Sequence, residues 1–141
     1  VLVFVDRKAL AMVDYPLLMT FAAFFVFSGN MARIGVVRDF VSSLLDKNTL
    51  IFSILSCQFI SNVPSAILLS QFTENYRALL IGVNIGGVGT LIASLASLIT
   101  FREYTKNYPA RTKQYIGLFL AVNFGFLLIL TVIMSIVMMK P

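Results

Sequence analysis

Residues 56–65 read SCQFISNVPS, a polar run set inside an apolar segment. Pro64 lacks a backbone N–H and biases Val63 away from the helical conformation, which predicts a break at this point. Each arm of the segment is then about 10–12 residues long, whereas a helix that crosses a bilayer needs about 20. The pattern predicts a re-entrant hairpin over residues 49–72, with its tip at residues 61–64. A single spanning helix with a proline kink is the alternative.

A second interruption is predicted within residues 78–100, a segment long enough to span a bilayer. Its centre reads NIGGVGT at positions 84–90, with three glycines in four residues. Each glycine weakens a helix by about 1 kcal/mol relative to alanine. The pattern therefore predicts a broken transmembrane helix with an unwound middle. The alternative is a packing face of small residues at Gly82 and Gly86.

The remaining segments also have the character of membrane helices. Residues 15–31 and 114–139 are apolar and predict transmembrane helices, while residues 32–47 place apolar side chains at helical spacing between charges. This last pattern predicts an amphipathic helix on the membrane surface, with a loop helix packed on its neighbours as the alternative. The predicted fold class is an all-α membrane protein.

The composition supports this class. Hydrophobic residues make up 59% of the 141 residues, charged residues make up 12%, and the mean hydropathy is +0.92. A soluble domain of this size cannot bury so much apolar surface. There is no histidine, and Cys57 is the one cysteine, which excludes a histidine-based triad and an internal disulfide. We therefore expect no enzymatic activity.

The charge distribution predicts an orientation in the membrane. The net charge of +5 comes from basic residues at the ends of apolar runs, which is typical of membrane proteins and argues against a nucleic-acid partner. The basic loop at residues 102–113 is expected in the cytoplasm, so the hairpin opens to the outside. The apolar run at residues 1–5 is too short to span, and we interpret the chain as a fragment of a larger membrane protein.

Together the two breaks predict a transport site. An unwound membrane helix frees backbone carbonyls that can coordinate a cation, and the N-termini of half-helices attract an anion. Serine and asparagine side chains supply neutral oxygens that suit a hard ion such as sodium. Glycine allows the backbone to approach the ligand closely.

These motifs resemble a known family. SNVPSA at positions 61–66, followed by GVNIGGVGTLIAS at positions 82–94, is similar to the C-terminal repeat of the ion transporter superfamily. That group includes citrate-transporter-like permeases, divalent-anion/sodium symporters and arsenite efflux permeases. The resemblance extends over nearly the whole chain. It implies one repeat of an inverted-repeat secondary transporter, which is a homodimer with an elevator-like movement and needs an N-terminal repeat that is missing here.

The resemblance also assigns residues to the site. It implies a cation site, with sodium as the suspected ion, and a substrate site that shares several of the same residues. The cation residues are Ser61, Asn62, Asn84, Gly86, Gly87, Gly89 and Thr90, and the substrate residues are Ser61, Asn62, Ser65 and Thr90. Val63 departs from the dicarboxylate symporters, which carry threonine there, and the Asn-Val-Pro form is closer to the arsenite and sodium/proton branches.

The expected function is secondary active transport of a small anion, coupled to sodium, in a bacterial or archaeal cytoplasmic (inner) membrane. No cofactor is expected beyond a coupling sodium ion. The expected partners are the lipid bilayer, the anion, the other repeat and a second copy of the full-length protein. An arsenite or oxyanion efflux permease or a sodium/proton antiporter is one alternative. A membrane scaffold subunit that does not transport is another.

Overall fold

The computed structural model describes residues 15–139, and this part of the chain contains helices and no strand. Two 3-10 turns, Leu91–Ala93 and Pro109–Arg111, connect some of the helices. The predictions for residues 1–14 and 140–141 lie outside the described residues. The α-helices are α1 (Tyr15–Met31), α2 (Gly35–Ile60), α3 (Asn62–Leu69), α4 (Tyr76–Gly86), α5 (Leu95–Asn107) and α6 (Thr112–Met139).

Helix α2 is kinked at Asn48, which has φ −165° and ψ 90°. The Asn48 Oδ1 atom accepts a hydrogen bond from the backbone N–H of Ile51 at 3.0 Å, as an N-cap side chain does. Asn48 therefore starts a new helical arm within α2. The kink lies between the predicted surface helix and the predicted hairpin, and the position of either segment in a bilayer stays a prediction.

The chain breaks between α2 and α3 at Ser61, whose φ of 71° lies in the left-handed region. Ser61 is the first residue of the predicted tip, 61–64, whereas Val63, which Pro64 is expected to bias away from the helical conformation, lies with Pro64 in the first turn of α3. A proline is tolerated there because the first N–H groups of a helix have no intrahelical acceptor. The two arms pack together, and the hydroxyls of Ser56 and Ser65 are 2.9 Å apart.

Helix α4 packs against the second arm of α2 through its small residues. A Cβ atom placed on Gly82 would lie 2.6 Å from the Cβ of Ser53, and one on Gly86 would lie 2.8 Å from the Sγ of Cys57. These distances leave no room for a side chain. The packing face considered as an alternative for Gly82 and Gly86 is therefore present, and the helix also ends at Gly86.

The segment expected to be a basic loop, residues 102–113, is largely helical, since α5 continues to Asn107. Tyrosines hold this end of the fold together: the rings of Tyr104 and Tyr115 stack at 4.6 Å, and Tyr108 lies 5.3 Å from Tyr104. These aromatic contacts stabilise a compact helical connection over an extended loop.

Within residues 15–139, two helices are long and apolar enough to cross a membrane, Gly35–Ile60 and Pro109–Met138, and Tyr15–Met31 is a shorter apolar helix. The C-terminal end of α6 lies beside the base of the hairpin. Ser135 and Asp46 line one cavity of about 300 Å³ there. The tyrosine contacts lie at the start of α6, so the hairpin base and the basic end of α5 are at opposite ends of this helix.

This arrangement predicts which positions can be labelled from the same side of a membrane. Cysteines introduced at exposed Lys47 and Glu74, in a Cys57→Ala background, should react with an impermeant maleimide from one face. A cysteine at Lys106 should react from the opposite face, because Lys106 lies at the other end of α6. Mass-shift labelling of intact and inverted vesicles measures this. Labelling of positions 47 and 74 from opposite faces would mean that the hairpin segment spans.

Candidate functional site

The hairpin tip and the glycine break meet in space. A Cβ atom on Gly87 would lie 3.0 Å from the Nδ2 atom of Asn62, so the Asn62 side chain lies close against the backbone of the break. The hydroxyl of Ser61 donates to the carbonyl of Ala93 at 3.3 Å. The two polar interruptions that the sequence separates by more than 20 residues therefore form one cluster.

Gln58, one helical turn before the tip, joins this cluster to the break. Its Nε2 atom donates to the carbonyls of Gly86 at 2.8 Å, of Ile54 at 3.1 Å and of Val88 at 3.4 Å. Its Oε1 atom accepts from the backbone N–H of Thr90 at 2.9 Å. The amide thus satisfies backbone groups on both sides of the interruption, which an unwound helix leaves without partners.

Thr90 completes the connection, since its hydroxyl donates to the backbone carbonyl of Gln58 at 3.1 Å. Gly89 has φ 134°, a conformation that other residues rarely adopt, and a Cβ atom there would collide with Oε1 of Gln58. The same Cβ atom would lie 2.9 Å from Cδ1 of Leu127. Leu127 is near the middle of α6, so the break lies at half the length of this helix.

Four helix ends converge on the cluster. The C-termini of α2 and α4 end at Ile60 and Gly86, and the N-termini of α3 and α5 begin at Asn62 and Leu95. Helix C-termini carry partial negative charge and N-termini carry partial positive charge. The Asn62 amide makes no hydrogen bond within residues 15–139, so it is open to a ligand. The arrangement combines neutral oxygens for a cation with N–H dipoles for an anion.

The structure brings together five of the predicted site residues at the meeting point of the tip and the break, and the other three make different contacts. The five are Ser61, Asn62, Gly87, Gly89 and Thr90. Asn84 is exposed and donates to the carbonyl of Leu80 within its own helix at 2.7 Å. Ser65 is fully buried against Ser56. The Cα of Gly86 packs against Cys57, and its carbonyl already accepts a hydrogen bond from Gln58.

Sequence reasoning missed Gln58 as a member of this site. The detectable signal is its residue type, since an amide within an apolar segment needs hydrogen-bond partners. Ser28 gives the same signal in α1: it is 1% exposed and donates to the carbonyl of Ile67 at 3.0 Å, which fixes α1 to α3.

Two curated proteins are similar to this chain. An uncharacterized transporter of Methanocaldococcus jannaschii is 46% identical over 90 residues, which cover 64% of this chain and 26% of that protein. The inner membrane protein YbiR of Escherichia coli is 37% identical over 100 residues, which cover 68% of this chain and 27% of that protein. The matched region is thus about a quarter of each relative. No family model matches the chain, and no solved structure matches it.

These relatives and the two long apolar helices are consistent with a membrane location. Their names indicate a transporter-like membrane protein. The site described above lies next to α6, the more apolar of the two candidate spans.

Gly89 offers a direct test of the site geometry. Gly89→Ala should destabilise the protein because it combines a positive φ, which costs about 1–2 kcal/mol for other residues, with a collision at Gln58. We expect the Tm to fall by about 5 °C or more. Gly125→Ala is the control, since a Cβ atom there meets nothing within 4 Å. Thermal unfolding in detergent measures both, and equal Tm values would contradict the described contact.

Proposed function

We propose that this chain forms one half of the site of a secondary active transporter for a small anion, coupled to sodium, and that it is not an enzyme. The observation that carries the proposal is the meeting of the hairpin tip, at Asn62, with the glycine break, at Gly87. Both are helix interruptions beside the middle of α6. Irregular backbone at such a depth is tolerated in a membrane where it lines a ligand cavity.

The helix ends support a paired cation and anion site. The carbonyls at the end of α2 favour a cation, whereas Gln58 occupies the Gly86 carbonyl at the end of α4, and the N-termini of α3 and α5 favour an anion. Ser61 and Asn62 stand between the two sets and contact the ion and the substrate together. Binding of one ligand then lowers the free energy of binding the other, which is the coupling that a symporter requires.

The names of the two relatives support a carrier in a cytoplasmic membrane. The anion and the sodium ion rest on the resemblance to the ion transporter superfamily and on the neutral oxygens of the site. The functional carrier includes a second, inverted repeat, because a site at a repeat interface needs groups from both repeats. That it is a homodimer rests on the resemblance alone. In such a carrier the hairpin of residues 49–72 is re-entrant and opens to the outside.

Val63 favours one alternative substrate class. It is 43% exposed at the tip and offers an apolar side chain beside Asn62, where a hydroxyl would bind a carboxylate. This favours a compact oxyanion such as arsenite, or ion exchange by a sodium/proton antiporter, over a dicarboxylate. The close packing of Gly82 on Ser53 is what a scaffold without transport would also need, so binding experiments must separate that hypothesis.

Asn62→Ala and Gly87→Leu, made in the intact protein, test the proposed site. Asn62→Ala removes an amide that is open to the ligand, and Gly87→Leu fills the space between the two breaks. Loss of one good polar contact costs about 1–3 kcal/mol, so affinity should fall about 5- to 150-fold. The measurement is the shift of Tm with sodium and with candidate anions.

Two asparagines are matched controls for this experiment. Asn84→Ala and Asn123→Ala remove amides that donate only to carbonyls of their own helices, at 2.7 and 2.8 Å. Both should keep the full ligand-dependent shift. If Asn62→Ala and Gly87→Leu keep it as well, the two breaks are packing features, and the scaffold hypothesis is favoured.

A further inference from the structure

The nitrogen of the Gln58 amide occupies a cage of backbone carbonyls. Gly86 ends α4, Val88 lies within the break, and Ile54 is one turn earlier in the helix of Gln58 itself. Their oxygens converge on Nε2 at 2.8, 3.4 and 3.1 Å. With the other orientation of the amide, Oε1 would face three acceptors and the N–H of Thr90 would lose its partner. The hydrogen-bonding pattern therefore fixes the nitrogen at the carbonyls.

Converging carbonyls at a helix break are the arrangement that coordinates a monovalent cation in broken-helix carriers. The carbonyls freed by an interruption need a positive or hydrogen-bearing partner where water is scarce. In this chain a covalently attached NH2 group supplies that partner. Gly89 makes room for it, because a side chain at that position would displace Oε1.

We propose that the Gln58 amide is a tethered substitute for a bound monovalent cation. It satisfies the carbonyls of Gly86 and Val88 permanently, so this wall of the break keeps its shape whether or not an ion is bound. A coupling ion then binds on the opposite wall, at Ser61 and Asn62. The placement of that ion rests on the proposed function, whereas the cage around Nε2 is a property of the fold.

The distances indicate which free ion fits the cage when the amide is removed. The distances from Nε2 to the carbonyl oxygens are those of N–H···O hydrogen bonds. An ammonium ion can make bonds of the same length because it also donates through N–H groups. Sodium is smaller and carries no hydrogen, so it cannot contact all three oxygens without drawing them together. Ammonium is therefore the probe for an emptied cage, and sodium is the comparison.

The experiment is a chemical rescue of Gln58→Ala in the intact protein. The Tm is measured in ammonium, sodium or choline chloride at equal ionic strength. In choline the variant should melt about 5 °C or more below the unsubstituted protein, since buried carbonyls lose their partner. Ammonium should restore at least half of this loss, with sodium restoring less. Gln58→Met fills the cage without a donor and should gain nothing from ammonium.

Gln71→Ala is the matched control, because Gln71 is exposed at the hairpin base. Its Tm should not respond to the choice among the three salts. If Gln58→Ala is too unstable to purify in sodium, the folded yield after extraction in ammonium and in sodium is compared for Gln58→Ala and Gln58→Met. A higher yield in ammonium for the alanine variant alone supports the proposal.

Absence of an ammonium effect on Gln58→Ala, or an equal effect on Gln58→Met or Gln71→Ala, would overturn the substitute-cation proposal. These outcomes are independent of the proposed carrier. Ligand binding at the proposed carrier site is tested by the sodium- and anion-dependent Tm shift of the unsubstituted protein and its loss in Asn62→Ala. Failure of that shift with a successful ammonium rescue would reject the carrier and retain the cage.

Discussion

The hydrogen bonds of the Gln58 amide are the interaction on which the rest of the structure depends. A helix that stops at Gly86 leaves carbonyls without partners, and in an apolar environment each costs several kcal/mol, on the order of a full hydrogen bond. Gln58 binds the Gly86 carbonyl on one side of the interruption and the Thr90 N–H on the other. The break is therefore a defined conformation and not a frayed helix end. A ligand site can be built on it because its geometry is fixed before the ligand arrives.

The same contacts tie the hairpin to the broken helix. Thr90 donates to the backbone of Gln58, and Ser61 donates to Ala93, so the hairpin is bonded to both ends of the 3-10 turn Leu91–Ala93. Ser28 extends the connection from α1 to α3 through the carbonyl of Ile67. These hydrogen bonds join α1, α3, the end of α2 and the 3-10 turn into one connected unit. Helix α6 packs on this unit through Leu127.

Local chemistry made much of the fold predictable, and tertiary contacts account for what sequence reasoning missed. Apolar runs and punctuating Pro and Gly residues were enough to predict an all-helical chain. Pro64 indicates a break nearby, but the conformation of Val63 could not be predicted from it, because the effect of a proline depends on whether it falls inside a helix or in a first turn. The role of Gln58 depends on Gly86 and Thr90, about 30 residues away, and no local pattern contains that pairing. Asn84 shows the same dependence on tertiary structure, since it lies two residues before the end of α4 while its side chain is exposed and donates to Leu80 within its own helix.

The glycines show why packing and binding are not competing interpretations of this segment. Gly82 and Gly86 allow α4 to lie so close to α2 that a Cβ atom added to either glycine would overlap Ser53 or Cys57. Only at that separation does the Gly86 carbonyl come within 2.8 Å of Gln58. A larger residue at either glycine would move α4 outward, and the amide would no longer reach its acceptor. The small-residue face is thus the condition for the cage, and the helix break and the packing of α4 are two consequences of one glycine-rich sequence.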